Sequence, residues 1–277
     1  MNNPVLDFFG FSHLPFSKIL SPKQLFQSEG YKTAFAQLEY GIPVEDFMLL
    51  SGPVGCGKSV VLNALMRALD SNHYSPIYVR GNNLTEVELY KNILSSLDHE
   101  PPYLAGTTKR LFYRVVPELS KQPVVFIDDA QEMSDSALQA LKSMANFGSD
   151  SQHKITFVLC GQPELRATLK LSRYLALKQR IRLFFHMVGM SLEETCAYID
   201  HHTNAAEKST SIFADDAKSE VHRCSEGIPR RVNLSCPSRN WNFPPYLLAL
   251  TYGGKSGNNE EKFQSAAKGC HPKEAPT

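Results

Sequence analysis

The chain lacks apolar runs long enough to cross a membrane as a helix. Its longest runs, Pro123 to Ile127 and Ile155 to Cys160, fall far short of the roughly 18 residues that such a span requires. The N-terminal region includes Asp7 and Pro15, and it lacks the basic start and continuous apolar core of a secretory signal. We therefore predict a cytoplasmic protein without a membrane span.

Regular cysteine spacing and an excess of charge of one sign are also lacking. The six cysteines are scattered and form no C-x-x-C pair, which excludes the usual patterns of a disulfide framework or a zinc site. With 29 Lys plus Arg against 28 Asp plus Glu, the formal net charge is only +1. Any binding to a polyanion must therefore depend on a local cluster of positive charge.

Short β-branched apolar runs alternate with longer amphipathic stretches after residue 46. This alternation is typical of an α/β fold with a parallel five-stranded sheet flanked by helices. Thr85 and Glu88 have the spacing of a capping box at the start of one such helix. The predicted strands are 47–51, 75–80, 123–128, 154–160 and 182–188, and the predicted helices between them are 58–70, 86–97, 109–119, 135–147 and 171–177.

The strongest chemical signal is the segment GPVGCGKS, which fits the phosphate-binding pattern G-x-x-x-x-G-K-[ST] between a predicted strand and a predicted helix. Its glycines let the backbone fold around a phosphate chain, and the following helix directs N–H groups at that chain. Lys58 would reach the β- and γ-phosphates of ATP, and the Ser59 hydroxyl would bind Mg²⁺. The predicted nucleotide-binding residues here are Gly52, Pro53, Val54, Gly55, Cys56, Gly57, Lys58, Ser59 and Val60.

Two carboxylates end the third predicted strand. The apolar run Val124 to Ile127 leads directly into Asp128 and Asp129. Ligands bind at the carboxyl ends of parallel strands, so Asp128 is expected to hold Mg²⁺ through water. Asp129 is expected to polarise the water that attacks the γ-phosphate. The alternative is a pair of acids that only keeps the end of a strand soluble.

Five ordered motifs and an aromatic segment before them resemble a known family. The motifs are the phosphate loop at 52–59, DDAQ at 128–131, GQPEL at 161–165, QRI at 179–181 and GIPRR at 227–231, and the segment is FGF at 9–11 with Pro15-Phe16. In this order they resemble the AAA+ ATPases of the general-secretion-pathway protein A type, and bacterial transposition helper ATPases share the pattern. The resemblance covers residues 5–233. It implies the P-loop NTPase (AAA+) fold, ATP and Mg²⁺ as cofactors, and a homo-oligomer.

The resemblance also implies roles for residues outside the phosphate loop. Gln162 matches a polar sensor of the γ-phosphate, with a hydrogen-bonded turn residue as the alternative. Arg180 matches an arginine finger that completes the nucleotide site of the adjacent subunit, and Arg182 is its competitor. Arg230 matches a second sensor in a helical lid, unless the helix begins one residue later and Arg231 takes that role.

The sequence divides into four predicted regions. They are an aromatic-rich N-terminal segment and helix (1–45), an AAA+ nucleotide-binding α/β domain (46–189), a helical lid (190–233) and a divergent, largely irregular or disordered tail (234–277). In the lid, Ser191 and Glu194 have capping-box spacing. The adjacent His201 and His202 point in different directions on a helix, which favours an exposed helix face over a metal site.

Two features depart from the family pattern. The family usually has Glu where this chain has Asp129, and the shorter side chain predicts slow hydrolysis. The helical pattern also stops at Leu234, where a Pro-rich, aperiodic stretch begins, and this predicts a truncated lid.

One stretch of the chain has a sustained charge bias. Between Arg166 and His186 there are six basic residues and no acid. This stretch could follow DNA phosphates or meet an acidic edge of a neighbouring subunit, and the alternative is a solvated helix face.

These features support three functional hypotheses. The first is ATP hydrolysis coupled to oligomer assembly on double-stranded DNA, in which the protein assists a transposase. The second is a general secretion pathway ATPase module that energises assembly of an envelope complex. It ranks lower at this stage because such relatives carry a membrane span and a wall-binding domain after the module, and this sequence shows neither. The third is a nucleotide-gated scaffold that hydrolyses ATP weakly.

Overall fold

The computed structural model describes residues 15–16, 25–145, 155–205 and 213–236 of the 277-residue chain. These residues form two compact units. One unit spans Glu29–Val188, and the other combines the described residues before Glu29 with those after Val188. Among the residues in these ranges, no helix is long and apolar enough to cross a bilayer.

A parallel sheet forms the centre of the first unit. The strands are Phe47–Ser51 (β1), Tyr74–Arg80 (β2), Gln122–Asp128 (β3), Thr156–Gly161 (β4) and Ile181–His186 (β5). Their order across the sheet is β2-β3-β4-β1-β5, and every neighbouring pair is parallel. All residues of β1 and β4 are buried, which explains their continuous apolar sequences. The predicted α/β fold is confirmed. Residues 146–147 of the helix predicted over 135–147 and residue 154 of the strand predicted over 154–160 lie outside the described residues.

Helices pack on both faces of this sheet. In chain order they are Glu29–Gly41 (α1), Lys58–Ala68 (α2), Glu86–Ser96 (α3), Ala105–Val115 (α4), Asp135–Met144 (α5), Pro163–Thr168 (α6) and Leu175–Arg180 (α7), with 3₁₀ turns at Val116–Glu118, Ala130–Glu132 and Ser172–Tyr174. Successive strand residues point to opposite faces. Leu50 and Phe126 therefore join α1 and α2 in one buried cluster, whereas Leu49 and Ile127 join α3, α4 and α5 in another.

Two helix predictions were wrong in detail. The helix predicted from Lys109 begins at Ala105. Its true start was missed because Gly106 and other small or polar residues in the first turn hide the apolar periodicity. The helix predicted over 171–177 is a 3₁₀ turn followed by α7. The short helix α6 was not predicted, since its six residues are too few to establish a period of 3.6.

The described residues of the second unit form three helices, Leu192–Ala205 (α8), Asp215–Ser225 (α9) and Pro229–Ser235 (α10). The Ser191 N–H donates to Glu194 Oε2 at 2.9 Å and the Glu194 N–H donates to Ser191 Oγ at 3.1 Å, which forms the capping box before α8. Ile199, Val221 and Val232 lie in the common buried core. Of the tail predicted from residue 234, residues 237–277 lie outside the described part of the chain.

His202 corrects the prediction of an exposed helix face. The residue is 2% exposed, and its ring stacks on Phe16 with the centroids 5.1 Å apart. The centroid of the Tyr198 ring lies 4.4 Å away. The prediction failed because Phe16 covers this face of α8 from a distant part of the sequence. Within the described ranges, no group of three or more His, Cys, Asp or Glu side chains could hold a metal ion.

Acidification is expected to destabilise this second unit through His202. Burial, with a smaller contribution from His201, lowers the pKa of His202 from 6.5 to about 4. Because the folded pKa is below the unfolded one, the stabilisation is complete above pH 6.5 and is lost as the pH falls towards 4. The shift corresponds to at most about 3 kcal/mol. Hydrogen exchange of α8 between pH 4 and pH 7, corrected for intrinsic exchange, should show this loss in the native chain and a smaller one in His202→Leu. Equal pH dependence in both would contradict it.

Candidate nucleotide-binding site

The phosphate loop joins the end of β1 to the start of α2. Gly55 and Gly57 have φ angles of +86° and +102°, in the left-handed region that favours glycine. The N–H groups of Val60 and Val61 both donate to Gly57 O, which begins the helix. No side chain caps this helix start, so its first N–H groups are available to a ligand.

Lys58 places a positive charge in this loop. The residue is 8% exposed, and Nζ donates to Gly52 O and to Pro53 O, both at 2.9 Å. The ammonium group therefore lies against the loop backbone, where phosphate oxygens could replace the carbonyl oxygens as acceptors. Gly52 is held in turn by donation from its N–H to Gly161 O at 3.2 Å, which ties the loop to β4.

Asp128 lies at the end of β3 beside the start of α2. Its carboxylate accepts three hydrogen bonds, two of them at Oδ2, from Ser59 Oγ at 2.7 Å and from Tyr78 Oη at 3.1 Å. Oδ1 accepts from the Asp129 N–H at 3.0 Å. Asp128 is 6% exposed, so its orientation is fixed by these donors. The structure thus brings together the two predicted magnesium-binding residues, Ser59 and Asp128.

These donors fit a magnesium–nucleotide complex. Hydroxyl and carboxylate oxygens are the hard ligands that Mg²⁺ prefers, and Mg²⁺ commonly retains water and substrate phosphate as its other ligands. One hydroxyl and one carboxylate at a helix start match this pattern, whereas a resident metal site would require more protein ligands. Ser59 and Asp128 would hold the ion, and Lys58 with the start of α2 would hold the phosphates.

Asp129 and Gln162 are connected through Gln131. Asp129 is exposed and has a left-handed backbone conformation, with φ +53°. Gln131 Nε2 donates to Asp129 Oδ1 at 3.2 Å, and Gln131 Oε1 accepts from the Gln162 N–H at 3.0 Å. One amide side chain therefore orients the candidate catalytic carboxylate and fixes the turn that carries the candidate sensor. Sequence reasoning used Gln131 only as part of a motif.

Gly81 supports the turn at Asp129 and was not identified from the sequence. Its N–H donates to Asp128 O at 2.7 Å, and a Cβ at this position would lie 2.5 Å from Asp129 O. A side chain would therefore collide with the backbone that carries the candidate base. The only signal in the sequence is a glycine directly after a strand.

Two neutral groups, the buried Cys160 and the exposed His186, lie near the charged ones. Burial raises the pKa of the Cys160 thiol well above its usual value, and the negative charge of Asp128 raises it further. Burial lowers the pKa of His186, and the cations Arg166 and Lys58 lower it further. His186 Nδ1 lies 3.0 Å from Ser51 Oγ, directly before the phosphate loop. Neutral side chains thus leave the charge of the site to Lys58 and the carboxylates.

The predicted arginines lie on different elements. Arg180 ends α7, and its guanidinium donates to Lys142 O at 3.1 Å. Arg182 is exposed on the edge strand β5. In the second unit, Arg230 is exposed near the start of α10, and Arg231 pairs with Glu226 at 2.6 Å. The finger and second-sensor roles of Arg180 and Arg230 stay predictions.

The fold and the phosphate loop define a P-loop protein of the AAA class. Residues 44–169 match the AAA domain family. Two solved structures share the fold. Cdc6p from Pyrobaculum aerophilum has a TM-score of 0.62 at 15% identity, over 79% of this chain and 60% of that chain. The Walker-type ATPase of Pyrococcus abyssi has a TM-score of 0.59 at 19% identity, over 92% and 76%.

The resemblance to the general-secretion-pathway protein A type is confirmed by a curated relative. General secretion pathway protein A from Aeromonas hydrophila is 32% identical to this chain over 237 residues. The match includes 83% of this chain but 43% of that protein, so the chain spans less than half of the relative's length.

Proposed function

We propose that the chain is a Mg²⁺-dependent ATPase module whose nucleotide state controls its assembly with other copies and with an envelope complex. The contact between Ser59 and Asp128, at 2.7 Å beside Lys58, is the observation that carries the proposal. It joins a hydroxyl and a carboxylate at the start of the phosphate-binding helix. The name of the secretion relative supports the envelope partner. A cytoplasmic location, which gives access to ATP, belongs to the same proposal.

Each site residue has a defined task in this proposal. Lys58 and the N–H groups of α2 bind the phosphates, and Ser59 with Asp128 holds the ion. Mg²⁺, when bound, neutralises charge on the phosphate oxygens. Asp129, oriented by Gln131, accepts a proton from the attacking water, and Gln162 helps to orient that water. Arg180 of an adjacent copy and Arg230 of the lid stabilise the charge that develops on the γ-phosphate.

The relative changes the order of the functional hypotheses. Motifs alone favoured assembly on DNA with a transposase, but the similarity to a secretion protein favours the envelope reading. The argument against that reading, the lack of a membrane span and a wall-binding domain, carries no weight because the chain matches only 43% of its relative.

DNA binding with a transposase remains a second candidate because of the basic stretch. Arg166, Lys170 and Arg182 are exposed cations within it. Two other arginines of the stretch instead contact α5. Arg173 pairs with Asp135 at 3.2 Å, and Arg180 donates to Lys142 O. The exposed cations could bind phosphates with strong salt dependence.

Phosphate release under single-turnover conditions tests the proposed function through Asp129. The unmodified chain should release phosphate from Mg·ATP, and Asp129→Asn should be slower by roughly 100-fold because general-base catalysis is lost. Asp129→Glu should retain activity or exceed it, since the longer carboxylate extends closer to the attacking water. Asp46→Asn, in the loop before β1, is the matched control.

The same assay separates the alternatives. No phosphate release by the unmodified chain, with ATP binding intact, would leave only the nucleotide-gated scaffold. Stimulation by duplex DNA at low salt, abolished by Arg166→Ala with Lys170→Ala, would favour the transposition reading. Indifference to DNA would favour the envelope reading.

A further inference from the structure

Tyr78 contacts the magnesium-binding carboxylate from the edge of the sheet. It lies on β2, where Tyr78 and Arg80 are paired with Phe126 and Asp128 of β3. Residues two apart on a strand share a face, so the Tyr78 side chain points along the same face as Asp128. Its hydroxyl donates to Asp128 Oδ2 at 3.1 Å, while the residue is 38% exposed. Tyr78 itself lies outside the phosphate loop and outside the motif at 128–131.

The hydrogen-bond donors to Asp128 differ in whether they also take part in binding the ion or in catalysis. Ser59 shares its hydroxyl oxygen with the ion in the proposed function, and the Asp129 N–H belongs to the turn that carries the candidate base. Tyr78 belongs to neither, so its hydrogen bond can hold Oδ2 before and after the ion arrives.

We propose that Tyr78 is a positioning residue that orients Asp128 towards Mg²⁺ and thereby sets the metal dependence of nucleotide binding. The inference rests on the proposed function. Without this hydroxyl, Oδ2 keeps one donor, and part of the binding free energy of the ion is spent on ordering the carboxylate. Residues that orient metal ligands commonly change metal affinity by about 10-fold or more when they are replaced.

Tyr78→Phe tests the proposal because it removes only the hydroxyl. Affinity for a fluorescent ATP analogue is measured at a series of free Mg²⁺ concentrations and in EDTA. The Mg²⁺ concentration for half-maximal tightening should rise about tenfold, while the affinity in EDTA stays unchanged. Tyr74→Phe is the matched control, since Tyr74 lies four residues earlier on the same face of β2 and should bind as the unmodified chain does.

A double-mutant comparison distinguishes orientation of Asp128 from a general effect on the fold. In an Asp128→Asn background, Tyr78→Phe should change the Mg²⁺ dependence by less than about twofold, because the oriented carboxylate is already absent. An unchanged Mg²⁺ dependence in Tyr78→Phe alone would overturn the proposal, as would an equal loss of affinity in EDTA. Failure of the unmodified chain to bind the analogue at all would instead remove the proposed function, and this inference with it.

Discussion

Replacement of Lys58 by methionine is expected to weaken Mg·ATP binding by about a hundredfold or more. Hydrogen bonds to charged groups contribute about 1.5–3 kcal/mol each, and a lysine ammonium group between two phosphates makes more than one. The side chain is almost fully buried, so water screens its charge poorly and the attraction to phosphate is strong. Methionine keeps the length and the apolar stem but removes both the charge and the donors.

Calorimetric titration with Mg·ATP measures this loss directly. The unmodified chain should give a binding heat and Lys58→Met none at micromolar protein. Lys32→Met is the matched control, because Lys32 lies on α1 in an exposed pair with Glu29 at 2.7 Å. A full binding heat from Lys58→Met would place the phosphates elsewhere and would contradict the site. Circular dichroism should match for all three proteins.

The strands could be predicted because burial on both faces leaves a strong signal. Phe47–Ser51 was predicted with its observed bounds, since every residue of β1 is buried and a glycine-rich loop follows. Short polar elements gave no comparable signal. The helix Pro163–Thr168 has a single buried residue, Leu165, so there was no apolar periodicity to find.

The residues of the candidate site also fall into those that the sequence could predict and those that it could not. Ser59 and Asp128 could be predicted because the loop pattern and the strand end are local signals. The roles of Tyr78 and Gly81 could not be predicted, because they depend on β2 lying next to β3 in the sheet. The order of the strands in the sheet differs from their order in the chain, since β1 lies between β4 and β5. No local pattern gives that order. His202 was misjudged for a related reason, since the ring that covers it belongs to a remote segment.

Asp200 is expected to be necessary for the stability of the second unit. Its Oδ2 lies 2.7 Å from Lys218 Nζ, which joins α8 to α9, and the Lys218 side chain is only 6% exposed. Asp215, the other carboxylate near this ammonium group, is 3.9 Å away and fully exposed. Asp200→Leu therefore leaves a buried cation without its close partner, at a cost of about 3 kcal/mol. Replacing both members by apolar residues avoids that cost, so Asp200→Leu with Lys218→Met should recover most of the stability.

Hydrogen exchange of α8 and α9, followed by mass spectrometry, measures this local stability. Exchange in both helices should accelerate in Asp200→Leu and slow again in the double variant, while the sheet is unaffected. The control is Arg223→Met, which breaks the exposed pair of Arg223 with Glu220 at 2.6 Å on the same helix and should change little. If Asp200→Leu exchanges no faster than Arg223→Met, the ion pair is not what holds α8 against α9, and the apolar core around Ile199 and Val221 is sufficient.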